Sequence, residues 1–307
     1  MQRRNITMFD IRIGTLIPAG DAVSMIHQLN PQGFESYQLN FDKSVQTLDF
    51  DEYARTVREA AEDRPLAFGL YGNTIQDPEV RAAIEKLIRS APLLDCHVIG
   101  LFAGADPKKT VPENIPGFRA VFEPLVRMAE ANGVKLALEG CGGGWNGSSG
   151  NIAFCADAWE LIFNAVPGEA LGLEWEPCHA LECLADPISQ LRRWAPRVAH
   201  LHGKDGTVAR DVLQQYGFNG GHPFMWDRTP GFGDTNWADV FTILLQAGFA
   251  GSCDIEGYHD PVHYDDMEWT AQLTALNYLK NCRGGQEYFR GPEEYRGYQG
   301  TRRHGGR

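Results

Sequence analysis

The chain alternates short hydrophobic runs with longer amphipathic ones, and this alternation is its most informative feature. Eight runs have the length and aliphatic or β-branched content of strands, at 10–17, 34–39, 66–72, 97–104, 134–140, 171–177, 198–205 and 252–258. Helix-like stretches lie between and after them, at 22–30, 49–62, 77–91, 117–132, 157–166, 187–194, 237–248 and 265–280. Eight βα units in one chain of 307 residues predict a (β/α)₈ TIM barrel.

The same pattern predicts a single barrel domain over residues 1–282. A doubly wound open sheet is the alternative, but the segment "IGTLIPAGD" after the first strand lacks the GxGxxG phosphate fingerprint. Residues 283–307 are rich in Gly and Arg and poor in aliphatic residues, which predicts a C-terminal tail. No run approaches the length of about eighteen apolar residues that a membrane span needs, so we expect no membrane segment.

Charge and cysteine content narrow the class of protein. The net charge of −12 argues against nucleic acid as a partner, because phosphate binding needs a basic face. The seven cysteines are an odd number without CxxC spacing, which indicates free thiols in a reducing compartment. The N-terminus "MQRRNITMFDIRIG" has no apolar segment behind its basic residues and does not resemble a signal peptide. We therefore expect a cytoplasmic protein.

Polar side chains stand at the ends of four successive predicted strands, where barrel enzymes carry their chemistry. From the fifth strand to the eighth they are Glu139, Glu176, His202 and Glu256. Three converging carboxylates would repel one another unless a cation compensates them. An oxygen-rich set with one imidazole suits Mn²⁺, Mg²⁺ or Co²⁺ better than a thiolate zinc site. Glu174 has the same strand parity as Glu176 and is expected to support a ligand from one pleat deeper.

The motif order "LALEG … LEWEPCHA … HLHGKD … TPGFGDTNW … GFAGSCDIEG" resembles the xylose isomerase-like TIM-barrel superfamily of sugar isomerases and epimerases. The resemblance covers roughly residues 10–282 in spacing, with its specific motifs between 134 and 258. It implies a divalent metal, Mn²⁺ first with Mg²⁺, Co²⁺ or Zn²⁺ as alternatives, held by the four residues named above. Ketose epimerases carry Asp where this chain has Glu176, which is one methylene longer.

The resemblance also implies a mechanism. The metal polarises a substrate carbonyl and stabilises an enediolate, while Glu139 and Glu256 act as acid and base from opposite faces. His179 is then a substrate ligand, and further candidate substrate contacts are Arg228, Trp145 and His259. In the "HGKD" motif, Lys204 and Asp205 are expected to form a structural ion pair.

Several functions remain compatible with this site. The leading one is isomerisation or epimerisation of a sugar or keto sugar. A lyase or dehydratase acting on a 3-keto sugar, keto-glycoside or inosose, as in the C-glycoside deglycosidases, would use the same residues but release water or an aglycone. An endonuclease IV-type nuclease and a non-catalytic binding protein are further alternatives. The resembling enzymes imply a homo-oligomer and, for the deglycosidases, a small second subunit.

Overall fold

Eight parallel strands close into a barrel in the computed structural model, which describes residues 11–142, 150–257 and 259–284. The strands of the chain are β1 (Arg12–Pro18), β2 (Tyr37–Asn40), β3 (Leu66–Leu70), β4 (Val98–Leu101), β5 (Lys135–Glu139), β6 (Leu171–Trp175), β7 (Val198–Gly203), β8 (Asp205–Val208), β9 (Met225–Arg228) and β10 (Ser252–Ile255). All except β8 and β9 belong to the barrel, which β10 closes by pairing in parallel with β1 and β7. The predicted (β/α)₈ fold is confirmed.

Helices cover the outside of the barrel. They are α1 (Ala22–Leu29), α2 (Phe50–Ala61), α3 (Pro78–Ser90), α4 (Val111–Ala131), α5 (Ala156–Ala165), α6 (Pro177–Glu182), α7 (Pro187–Trp194), α8 (Arg210–Tyr216), α9 (Trp237–Ala247) and α10 (Glu268–Arg283). None of these helices, in the part of the chain that the structure describes, is long and apolar enough to cross a membrane. The predicted tail falls almost wholly on residues 285–307, which lie outside the described ranges.

The barrel strands read as hydrophobic runs because helices bury their outer face and the barrel interior buries the other. Every residue of β3 and β6 is buried. On β6 the side chains alternate, so Trp175 points outward and donates a hydrogen bond from Nε1 to Gln190 Oε1 of α7 at 3.0 Å. Glu174 points into the barrel. The alternation therefore places an apolar ring against the helices and a carboxylate in the interior.

Helix α4 begins at Val111, six residues before the predicted start at 117. Thr110 donates its backbone N–H to Glu113 Oε2 at 2.8 Å, and Pro112 lies in the first turn, a position that needs no N–H donor. The first turn is thus held by capping rather than by an apolar stripe. Hydrophobic spacing alone consequently missed it.

The long loops after β6 and β7 contain elements that the pattern did not predict. Helix α6 begins directly after Glu176, with Pro177 at its first position. The strand predicted at 198–205 ends at Gly203, and β8 and β9 then form an antiparallel hairpin in which Asp205 is paired with Arg228. A Cβ at Gly206 would overlap Met225 and touch Leu181 of α6, so the hairpin packs closely on α6. Both elements stand at the carboxyl end of the barrel.

Candidate metal centre

Four buried side chains converge at the carboxyl ends of β5, β6, β7 and β10. Glu139 ends β5, Glu176 follows β6, His202 lies on β7 and Glu256 follows β10. These four strands are neighbours in the barrel, so the residues form one continuous arc. Their potential ligand atoms all lie within 4.8 Å of one another. The structure therefore brings together the four residues that the strand ends indicated.

Several polar atoms of this cluster are buried without a hydrogen-bond partner. They are both carboxylate oxygens of Glu176, Oε2 of Glu256 and Nδ1 of His202. His202 Nδ1 lies 3.1 Å from Glu256 Oε2, yet the two atoms do not have hydrogen-bond geometry. Buried lone pairs left unused are costly, and a divalent cation between them would use all of them. Three carboxylates and one imidazole thus fit such an ion.

The surroundings shift the pKa values of Glu139 and Glu256 in opposite directions. Burial raises the pKa of Glu139 to about 7, and the charges of Glu176 and Glu256 add to the rise. Burial alone would also raise the pKa of Glu256, but the neighbouring His202 imidazole and the charge of Lys204 lower it below its ordinary value. Two carboxylates with separated pKa values are what acid–base chemistry near neutral pH requires.

Lys204 belongs to the site, and the predicted ion pair between Lys204 and Asp205 is wrong. Its side chain is buried, and Nζ donates to Glu256 Oε1 at 3.3 Å instead of pairing with Asp205. Asp205 accepts from Trp237 Nε1 at 2.8 Å and from the backbone of Thr235 at 3.3 Å. Strand alternation explains the correction, because adjacent residues at the end of β7 point to opposite sides.

His179 lies on α6 beside the cluster. Its Nε2 is 3.3 Å from Glu139 Oε1 and also contacts Glu176, while Nδ1 is 3.0 Å from Glu182 Oε2. The ring is almost fully buried. Both ring nitrogens therefore face carboxylates, two of which belong to the metal cluster.

The other predicted substrate contacts are spread over the loops. Arg228, on β9, donates from Nε to Asp260 Oδ2 at 3.2 Å, so its guanidinium is already tied to a carboxylate. His259 is half exposed and its Nε2 lies 3.6 Å from Glu256 Oε1, next to the cluster. Trp145 lies outside the described residues.

Two residues on the opposite side of the barrel reach the site without any signal in the sequence. Tyr71, just after β3, donates from Oη to Glu174 Oε2 at 2.8 Å and lies 3.3 Å from His202 Nε2. Gln38 of β2 places Oε1 3.1 Å from the same nitrogen. A single tyrosine and a single glutamine are common in any strand, so only barrel closure reveals their role. Glu174 itself was found from its parity.

The architecture is shared by solved structures of low sequence identity. A D-psicose 3-epimerase, crystallised in the presence of D-fructose, matches with a TM-score of 0.67 at 14% identity over 90% of this chain and 100% of that one. The 3-keto-D-glucoside 4-epimerase YcjR from E. coli gives 0.66 at 13% identity over 89% and 100%. The probable 3-DHS dehydratase AsbF, involved in petrobactin synthesis in Bacillus anthracis, gives 0.62 at 13% identity over 87% and 99%. At such identities the likeness concerns the fold.

Sequence comparison gives one partial relative and one family. The uncharacterized protein YfiH of Bacillus subtilis (strain 168) is 28% identical over 145 residues, which is 44% of this chain and 44% of that protein. The match therefore spans less than half of that relative's length. The family model described as a xylose isomerase-like TIM barrel matches residues 26–282, a range that contains all four members of the metal cluster. Because this range is most of the chain, the protein belongs to the xylose isomerase-like TIM-barrel family.

Proposed function

We propose that this protein is a divalent-metal-dependent isomerase or epimerase of a sugar or keto sugar. The observation that carries the proposal is the buried cluster of Glu139, Glu176, His202 and Glu256, in which four polar atoms have no hydrogen-bond partner among the described residues. Fold relatives that are named as sugar epimerases support it.

The four cluster residues hold the cation, with Mn²⁺ as the first choice because carboxylate oxygens dominate the set. Once bound, the cation polarises a substrate carbonyl and stabilises negative charge on its oxygen. The Lys204 ammonium, 3.3 Å from Glu256, adds a fixed positive charge at the same place. Both features act where charge develops when a proton leaves the neighbouring carbon.

Glu139 and Glu256 are the proposed acid–base pair. They stand on β5 and after β10, with β6 and β7 between them, so their carboxylates reach a bound substrate from two sides. One removes the proton next to the carbonyl, and the other returns a proton to the same or the adjacent carbon. His179 binds a substrate hydroxyl or carbonyl, while Arg228, His259 and Trp145 complete the proposed substrate contacts.

Elemental analysis after equilibration with Mn²⁺, Mg²⁺, Co²⁺ and Zn²⁺ tests the metal part of the proposal. We expect one equivalent in the wild type and a large loss in His202→Ala, with His97→Ala as the matched control because His97 is exposed at the opposite end of the barrel. Keto sugars are then screened in D₂O for exchange of carbon-bound hydrogen. Glu139→Gln and Glu256→Gln should each abolish that exchange, and full activity in either variant would refute the two-base scheme.

A lyase or dehydratase is the second candidate, and Lys204 is the observation that favours it. A buried ammonium beside the base can stabilise the oxygen that departs when water or an aglycone is eliminated. A fold relative named as a probable 3-DHS dehydratase supports this candidate. Mass analysis of the product separates the two, because an isomerase conserves substrate mass and a lyase does not.

The sequence-based expectations on context stay predictions: a cytoplasmic protein that forms a homo-oligomer, binds no nucleic acid and has, if it cleaves glycosides, a small second subunit. Size-exclusion chromatography with light scattering checks the oligomer, and co-purification from the source cell checks the second subunit.

A further inference from the structure

Below the metal cluster, the barrel interior carries charged side chains instead of the branched aliphatic residues that usually fill a TIM barrel. Glu174 of β6, His200 of β7 and Asp254 of β10 are all almost fully buried there. His200 Nδ1 lies 2.8 Å from Glu174 Oε1, and its Nε2 lies 2.8 Å from Asp254 Oδ2. Asp254 also accepts from Ser36 Oγ at 2.5 Å. Burying these charged groups costs free energy unless well-placed hydrogen bonds and opposite charges compensate for the lost water.

These interior side chains reach Nε2 of the candidate metal ligand His202. Around Nε2 lie Glu174 Oε1 at 3.2 Å, Gln38 Oε1 at 3.1 Å and Tyr71 Oη at 3.3 Å. Tyr71 gives its hydroxyl proton to Glu174, and the Gln38 amide gives a proton to Tyr71 at 2.5 Å. Each of the three groups therefore offers only a lone pair to Nε2. The proton of the neutral imidazole must lie on Nε2 to satisfy them.

A proton on Nε2 leaves the lone pair on Nδ1, and Nδ1 is the atom that faces the cluster. It lies 3.1 Å from Glu256 Oε2 and 3.7 Å from Glu176 Oε2, with no hydrogen-bond partner of its own. The interior hydrogen bonds and the orphaned atom are two independent observations, and both assign Nδ1 to the cation.

A glycine on a nearby strand leaves the space that the Glu174 carboxylate occupies. Gly100 lies on β4, two strands from β6 in the barrel, and a Cβ there would overlap both oxygens of the Glu174 carboxylate. A Cβ at Gly14 of β1 would overlap Oδ1 of Asp254 and also Ser36. Glycines therefore stand where the charged side chains fill the barrel interior. The packing around these side chains positions them together with their hydrogen bonds.

We propose that Glu174 is a positioning residue for the metal centre: held by His200, Tyr71 and the space at Gly100, it fixes the tautomer and the ring orientation of His202 so that Nδ1 binds the cation. This inference rests on the metal site of the proposed function. A carboxylate behind a metal-binding imidazole orients the ring and raises its basicity, and its loss typically weakens metal affinity or activity by about 10–100-fold.

The test compares Glu174→Gln, Tyr71→Phe and the wild type, all as full-length chains. The glutamine keeps the shape of Glu174 but places an NH₂ donor where the carboxylate accepts from Tyr71 and faces ring nitrogens of His200 and His202. We expect Mn²⁺ affinity, measured by calorimetry, to fall by about 10–100-fold, and the visible spectrum of the Co²⁺-loaded protein to change. Tyr71→Phe removes one hydrogen bond to Glu174 and should produce a smaller change in the same direction, even if Glu174→Gln does not fold.

Glu35→Gln is the matched control, because Glu35 is a partly buried, hydrogen-bonded glutamate with only a structural role. Glu35 accepts from the backbone of Ile13 at 2.9 Å and from Arg283 at 2.5 Å, at the amino end of the barrel. We expect it to lower stability while leaving Mn²⁺ affinity and the Co²⁺ spectrum unchanged. Wild-type affinity and spectrum in both Glu174→Gln and Tyr71→Phe would overturn the positioning role alone. A wild type that binds no metal would overturn the proposed function together with it.

Discussion

Replacing Gly100 with alanine tests how firmly the interior of the barrel holds Glu174. Gly100 lies on β4 and faces the carboxylate, so the added methyl group would occupy the space of both oxygens. The carboxylate can move away only by giving up its hydrogen bonds with His200 and Tyr71, each 2.8 Å long. The substitution is small in volume but is aimed at a fully buried charge.

The size of the effect follows from those two hydrogen bonds. A hydrogen bond to a charged group contributes about 1.5–3 kcal/mol, so losing both lowers the free energy of unfolding by about 3–6 kcal/mol. Gly20→Ala is the matched control, because Gly20 is exposed in a short turn and a Cβ there meets nothing within 4 Å. Removing its backbone freedom in the unfolded chain should leave stability unchanged or raise it by about 0.4–1 kcal/mol.

Urea unfolding of both variants, followed by circular dichroism at neutral pH, measures the difference directly. Equal slopes against urea for the variants and the wild type would make the midpoints comparable. A Gly100→Ala protein within about 1 kcal/mol of Gly20→Ala would refute the reasoning, since two charged hydrogen bonds exceed that margin. It would mean that the Glu174 carboxylate has room to shift without loss.

Three further predictions concern the cation, the loop after β10 and the hairpin. Mn²⁺ at a hundredfold excess over its Kd should raise the free energy of unfolding of the wild type by about 2.7 kcal/mol. In the same thermal-shift series, Glu176→Gln should show a far smaller rise. An equal rise would remove Glu176 from the ligand set. Burial alone would raise the pKa of Asp260, but three backbone N–H donors lower it to about 2, below the unfolded value of 3.8. Asp260 therefore stabilises the fold above about pH 4 and loses this effect as pH falls towards 2. The urea midpoint of Asp260→Asn should lie below that of the wild type, and the difference should shrink over this pH range. A constant difference would contradict the assignment. Trp237→Phe removes the 2.8 Å hydrogen bond to buried Asp205 and should cost about 1–3 kcal/mol in urea unfolding, whereas wild-type stability would show that Asp205 does not need this donor.

The sequence by itself determined the barrel and the arc of candidate ligands. Periodic apolar runs specify strands and helices locally, and eight βα units leave few ways to bury all the strands. Because parallel strands in a barrel all end at one face, residues at strand ends meet even when they are far apart in sequence. Glu139 and Glu256 are 117 positions apart by their numbers and still share one cluster.

The tertiary structure alone decided which partner each polar atom has. Lys204 pairs with Glu256 and not with its neighbour Asp205, and the hairpin of β8 and β9 forms where the sequence shows only a glycine-rich loop. Gln38 of β2 and Tyr71, just after β3, approach His202 across the barrel. Hydrogen bonds of this kind depend on strand stagger and barrel closure, which bring atoms to within 3 Å or so. The spacing of residues along the chain does not contain that geometry. Spacing therefore predicts which residues lie at the carboxyl ends of the strands, whereas the contacts between their side chains form only when the barrel closes.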